Sequence, residues 1–163
     1  MIQLGADVNY VNKQTGDTIF HYAVETDDRE VIATICQIQH VNKKKLINFV
    51  NFQGYSPLAL AILRRNSDSI KICNFLIKNG AKWFNDQKSL KVKEKSNNFP
   101  PFHLAINKNA LNIIESCCKN QIVNYKIKDP MFGGTPLHWC KTKHMAKFLI
   151  NNCGLSPNDQ SDS

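Results

Sequence analysis

Three histidines (His21, His103 and His138) and six cysteines (Cys36, Cys73, Cys117, Cys118, Cys140 and Cys153) are the residues that could ligate a metal, move a proton or form a disulfide. His138, Cys140 and His144 crowd into one stretch, as zinc ligands do. Zinc takes about four convergent ligands; these three fall across a turn and a helix, and the spacing supplies no fourth. Cys117 and Cys118 are adjacent, and neighbours in sequence bridge only with strain. No C-x-x-C occurs, so reduced, buried thiols are expected. A nucleophilic serine would need a sharp G-x-S-x-G turn. The nearest approach is Ser56 in G-Y-S-P-L (54–58), where Leu58 stands in the second glycine position. No phosphate-cradling G-x-x-x-x-G-K loop is present. No catalytic, cofactor-binding or metal-ligating residue is expected in this chain.

The same histidines have a second pattern, which concerns position. G-D-T-I-F-H-Y-A covers 16–23, G-Y-S-P-L-A-L-A covers 54–61, N-F-P-P-F-H-L-A covers 98–105 and G-G-T-P-L-H-W-C covers 133–140. Thr18, Ser56, Pro100 and Thr135 head the four copies at spacings of 38, 44 and 35 residues. Each position has a physical task. A glycine suits a turn that needs a positive backbone angle. Thr18, Ser56 and Thr135 can cap a helix, and Pro57 and Pro136 fit its first turn, where a missing N–H costs nothing. Leu137 starts the apolar face, and Ala23, Ala61 and Ala105 are small where helices approach. A second helix follows each copy, with apolar residues at helical spacing: Val31, Ile32 and Ile35; Ile70, Cys73 and Leu76; Leu111, Ile114 and Cys117; Met145, Phe148 and Leu149.

These copies resemble the T-P-L-H-x-A signature of ankyrin repeats, whose period is about 33 residues. The resemblance implies an all-α solenoid of helix–turn–helix repeats with short turns or β-hairpin fingers. It also implies that His21, His103 and His138 steady their turns by local hydrogen bonds. The expected division is the end of a preceding repeat over 1–9, repeat one over 10–53, repeat two over 54–98, a degenerate repeat three over 99–129, repeat four over 130–158 and the start of a cut repeat over 159–163. The long spacings place insertions at 40–49 and 84–98, expected to emerge as loops or lengthened fingers. A fragment of a longer array is the expectation.

Composition narrows the partners. Hydrophobic residues make up 42% and charged residues 21%, which is globular rather than disordered. The net charge is +8, yet residues 1–30 hold six acids against two bases. The basic residues are eighteen lysines and three arginines, whereas base readout leans on bidentate arginine. No aromatic interleaving accompanies the bases either, so nucleic acid is not expected. Lys88, Lys91, Lys93 and Lys95 in the second insertion form either a solvated loop or a contact for anionic lipid. Met131, Phe132 and Trp139 are candidates for a partner-contact surface, with packing between repeats as the alternative for Trp139. The cytoplasm is the expected location, with peripheral membrane association open.

Residues 99–150 have a narrower resemblance. Lys128-Asp129-Pro130 before the turn, Trp139 after His138 and a helix pair shortened by about three residues are similar to a repeat of the group VI calcium-independent phospholipases A2, the patatin-like family. This resemblance implies a parent that hydrolyses the sn-2 ester of glycerophospholipids with a catalytic domain absent from this chain. The repeats would then be a non-catalytic scaffold for a protein partner or for that missing domain. The alternative is a free-standing ankyrin adaptor that binds a protein through its concave face.

Overall fold

The computed structural model describes residues 7–64, 68–83, 100–118, 125–129 and 133–159, without the side chains of Cys117 and Cys118. The lysines of the second insertion (Lys88, Lys91, Lys93 and Lys95) and Met131 and Phe132 lie outside the described residues, as do 160–163.

Helices come in pairs. α1 (Ile19–Glu25) and α2 (Arg29–Gln37) form the first pair, and a single helical turn, α3 (Lys43–Leu46), follows. α4 (Pro57–Arg64) and α5 (Ser69–Lys78) form the second, and α6 (Pro101–Asn107) and α7 (Leu111–Cys118) the third. In the fourth pair the first member is only a 3-10 turn, Pro136–Trp139, before α8 (Lys143–Cys153). Among the described residues the extended structure is limited to one isolated bridge, Val11 with Thr18.

Local chemistry sets the boundaries. Proline opens α4, α6 and the 3-10 turn, with its preset backbone angle and missing donor. Pro101 therefore takes the place of Pro57 and Pro136, and Pro100 takes the cap position, so repeat three keeps the common register. The Asp28 carboxylate accepts the Glu30 N–H at 2.7 Å and starts α2; the Thr142 hydroxyl accepts the Met145 N–H at 3.3 Å and starts α8. Gly154, at φ 65°, ends α8 in the left-handed conformation that glycine adopts without strain.

α1, α4, α6 and the 3-10 turn pack side by side as one layer, and α2, α5 and α7 as a second. Between the layers lies one continuous core that includes Phe20, Ile32, Leu58, Ile62, Ile72, Leu76, Phe102, Ile106, Ile114, Met145 and Leu149. Ala23, Ala61 and Ala105 are buried at the helix contacts. Cys73 is part of this core, while Cys36 and Cys140 are half-buried thiols that burial pushes upward in pKa, Cys140 to about 11.

The first insertion differs from the loop expected of it. α3 turns Leu46 and Ile47 into the core, at 2% and 0% exposure. Lys44 and Lys45 face solvent on the same turn. Leu46 and Ile47 directly follow the three lysines, and their burial offsets the ordering of the segment. Truncation of Ile47 to Ala should therefore destabilise the fold by about 2–5 kcal/mol, as for other buried aliphatic residues, whereas Lys44→Ala should change it by less than about 0.5 kcal/mol. Urea unfolding followed by circular dichroism checks both; equal effects would return this segment to an undocked loop.

Candidate functional site

The turn that precedes each first helix is the structural unit from which a binding face is built. In repeat one the Thr18 N–H donates to His21 Nδ1 at 3.1 Å, and the Thr18 hydroxyl lies 2.9 Å from the same nitrogen. This leaves the ring proton on Nε2, which donates to the Tyr55 carbonyl at 3.0 Å. Tyr55 belongs to the turn of the next repeat. Thr135 and His138 repeat the local half of the pattern, at 3.2 Å from the N–H and 2.7 Å from the hydroxyl. Ser56 is buried, and its Oγ accepts the Ala59 N–H at 3.3 Å.

His103 occupies the same position in repeat three and is fully buried. Burial holds its pKa down at about 4, against the upward pull of the Asp129 carboxylate and the Gly134 carbonyl. Asp129 is itself buried. Its Oδ2 accepts the Gly134 N–H at 2.7 Å and the Trp139 indole N–H at 3.1 Å. A side chain on Gly134 would place its Cβ 2.9 Å from that carboxylate oxygen and force Asp129 to shift out of this cradle. The His103 and Trp139 rings meet edge to face at 5.9 Å. Trp139 is thus half-buried and anchored in the junction between repeats three and four.

Asparagine organises the remaining turns. Asn12 Oδ1 accepts the Gln14 N–H, and Asn51 Oδ1 accepts those of Gln53 and Tyr55. Asp129 stands in the same place. Asn9 and Asn48 act between repeats. Asn9 donates to the His40 carbonyl and accepts the Asn42 N–H; Asn48 donates to the Gly80 carbonyl and accepts the Lys82 N–H. The three-residue spacing of Asn9 with Asn12 and of Asn48 with Asn51 is the signal that could have found them.

Residues 1–88, just over half of the chain, match the family model described as ankyrin repeats (3 copies). The chain belongs to the ankyrin-repeat family. An I-kappa-B-like protein C2 of Microplitis demolitor bracovirus is 32% identical over 82 residues, 50% of this chain and 41% of that protein. The nuclear factor NF-kappa-B p100 subunit of Xenopus laevis is 26% identical over 81 residues, 50% of this chain and 8% of that protein. The chain thus spans well under half the length of either relative.

In this ankyrin-repeat array the residue after each signature histidine position lies on the first helix of its pair: Tyr22, Leu60, Leu104 and, on the 3-10 turn, Trp139. Tyr22 is 44% exposed and its hydroxyl accepts the Asn12 amide N–H at 2.7 Å. Phe52, 68% exposed, is fixed on the neighbouring turn, where its backbone N–H donates to the Thr15 carbonyl at 2.9 Å and its ring covers Gly16. Two exposed aromatic side chains are thus held against one turn, 12–16. Among the described residues no cluster of His, Cys, Asp and Glu could hold a metal, and no helix is long and apolar enough to cross a membrane.

Acid tests the buried histidines. His103 and His21 both have lowered pKa values because burial disfavours the charged ring. In the unfolded chain each titrates near 6.5. Between that value and the folded one the unfolded state binds more protons, so stability is lost as pH falls from about 6.5 towards 4. For His103 the loss is on the order of 3 kcal/mol. His103→Gln should flatten this pH dependence in urea titrations, and an unchanged slope would contradict the neutral buried imidazole.

Proposed function

We propose that the chain is a non-catalytic protein-docking module of the I-kappa-B-like kind. Its contact face is the row of first helices together with the turn tips, centred on Tyr22 and Phe52. The observation that carries this reading is the fixed exposure of these two rings. Exposed apolar side chains grouped on one surface feature mark interaction sites, and aromatic anchors dominate binding energy at interfaces. Tyr10, 53% exposed, extends the same set. Trp139 joins the face only by its exposed portion, since Asp129 holds the indole N–H.

The names of the relatives support a partner in the NF-kappa-B system. Purified chain should bind a purified NF-kappa-B subunit saturably, and the Tyr22→Ala/Phe52→Ala variant should bind at least about tenfold more weakly, since paired aromatic anchors carry several kcal/mol between them. The thermal midpoint should move little, because neither ring is in the core. No binding by the intact chain would reject this partner; equal binding by the variant would reject this face.

A second reading rests on the fourth repeat. Its first helix is reduced to four residues, Pro136–Trp139, behind the Lys128-Asp129 turn, which suits the shortened repeat of the group VI phospholipases A2. The relatives above lend it no support. It requires an in-frame G-x-S-x-G downstream of the Ser163 codon, and a transcript without one overturns it.

A further inference from the structure

Repeat four is held by little apolar surface. Among its described residues Pro136, Met145, Leu149 and Leu155 are buried. Phe148 is half-buried and Ile150 is exposed. Repeat two buries Leu58, Ala59, Ala61 and Ile62 on α4 and Ile72, Cys73, Leu76 and Ile77 on α5. Local opening is easiest where least apolar surface is buried, so repeat four is the weaker unit.

Polar contacts close its junction with repeat three. His103 is at the centre, fully buried on α6. The Trp139 ring meets it edge to face at 5.9 Å, and the Asp129 carboxylate and the Gly134 carbonyl act on it from the turn. The carboxylate also holds the Gly134 N–H and the Trp139 indole N–H. Beyond the end of α6, the Thr142 hydroxyl donates to Asn109 Oδ1 at 2.9 Å. Other ionisable groups around α6 are turned elsewhere. Arg64 on α4, Glu115 on α7 and His138 on the 3-10 turn are exposed, Lys128 is half-buried, and Tyr125 packs on the Phe102 ring at 5.2 Å. Asp129 is the charged group that acts on His103, and its upward pull is smaller than the downward push of burial.

We propose that this junction is an acid-sensitive latch: protonation of His103 lets the 3-10 turn and α8 come off repeat three as a unit while repeats one to three keep their fold. Closed, the ring stays neutral down to about 4; open, it is solvated and titrates near 6.5. Over that interval the open state holds one more proton, so the opening constant rises by up to about tenfold for each unit that pH falls. His21 is buried at the first junction in the same way. There Phe20 and Val24 on α1 and Leu58 and Ile62 on α4 are all buried, so the same proton has a larger apolar contact to overcome. Opening uncovers Trp139 and the flank of α6 and leaves Tyr22 and Phe52 as they are.

Hydrogen exchange of the full chain between about pH 7 and about pH 5, corrected for the intrinsic rate, tests the latch. Amides of α8 should open more readily than those of α5 at each pH. Their opening constant should rise at least about tenfold from pH 7 to pH 5, and His103→Gln should abolish this rise. Thr142→Val weakens the same junction without titrating. It should raise α8 opening by about fivefold at every pH, the usual cost of a lost helix cap. Equal opening constants for α8 and α5 would mean that repeat four opens only with the whole chain, and would overturn the proposal. So would α8 opening that ignores pH, a rise that persists in His103→Gln, or a pH slope altered by Thr142→Val. The wild-type comparison of α8 with α5 decides the first two points even where the His103 variant fails to fold.

Discussion

One imidazole joins two repeats. His21 Nδ1 accepts from its own cap, and Nε2 donates to a carbonyl of the next turn. A neutral ring with a fixed tautomer is the only form that satisfies both, because a protonated ring has no acceptor. The helix start in one repeat and the turn position in the next are therefore set by the same side chain. Burial makes the arrangement stable, since it disfavours the charged form. No repeat can satisfy this contact alone, so cooperativity passes from neighbour to neighbour, as in other solenoids.

Much of this was legible in residue types. The caps, prolines, small helix-contact alanines and histidines recur at fixed offsets, and each offset has one physical cause. Repeat three shows how far that logic extends: Pro100 and Pro101 remove the threonine cap, yet the register holds because Pro101 still fits the first helical turn. The first insertion was less legible. Three consecutive lysines mark a solvated segment, and the apolar pair Leu46-Ile47 is too short to show a period. Only the space left between α1 and the following turn decides that the pair is buried, with the Leu46 carbonyl 3.3 Å from the Thr18 hydroxyl.

The asparagines were hidden for a different reason. A side-chain amide offers both donor and acceptor, so one asparagine can bind a carbonyl and an N–H of a loop more than thirty residues away. Asn9 and Asn48 do this at successive junctions, with partners 31–34 residues on. Such contacts leave no apolar periodicity, and in a lysine- and asparagine-rich chain the residue type alone carries little signal. The repeat offset is what distinguishes a clamp from a surface residue.

Repeat four depends on the buried junction more than the others do. Its first helix is too short to present an apolar stripe, because four residues make little more than one 3-10 turn. A fully buried first helix such as α6 contributes six buried residues, from Pro101 to Ile106; the 3-10 turn buries Pro136 alone. Polar contacts fill the difference. Asp129 ties the turn to Trp139, and the indole in turn packs against His103. A buried carboxylate of this kind is tolerated only when its oxygens are hydrogen-bonded, and the glycine at 134 is what lets the backbone N–H come close enough. The Trp139 ring is therefore committed to holding repeat four in place, whereas Tyr22 and Phe52, at the other end of the array, are exposed.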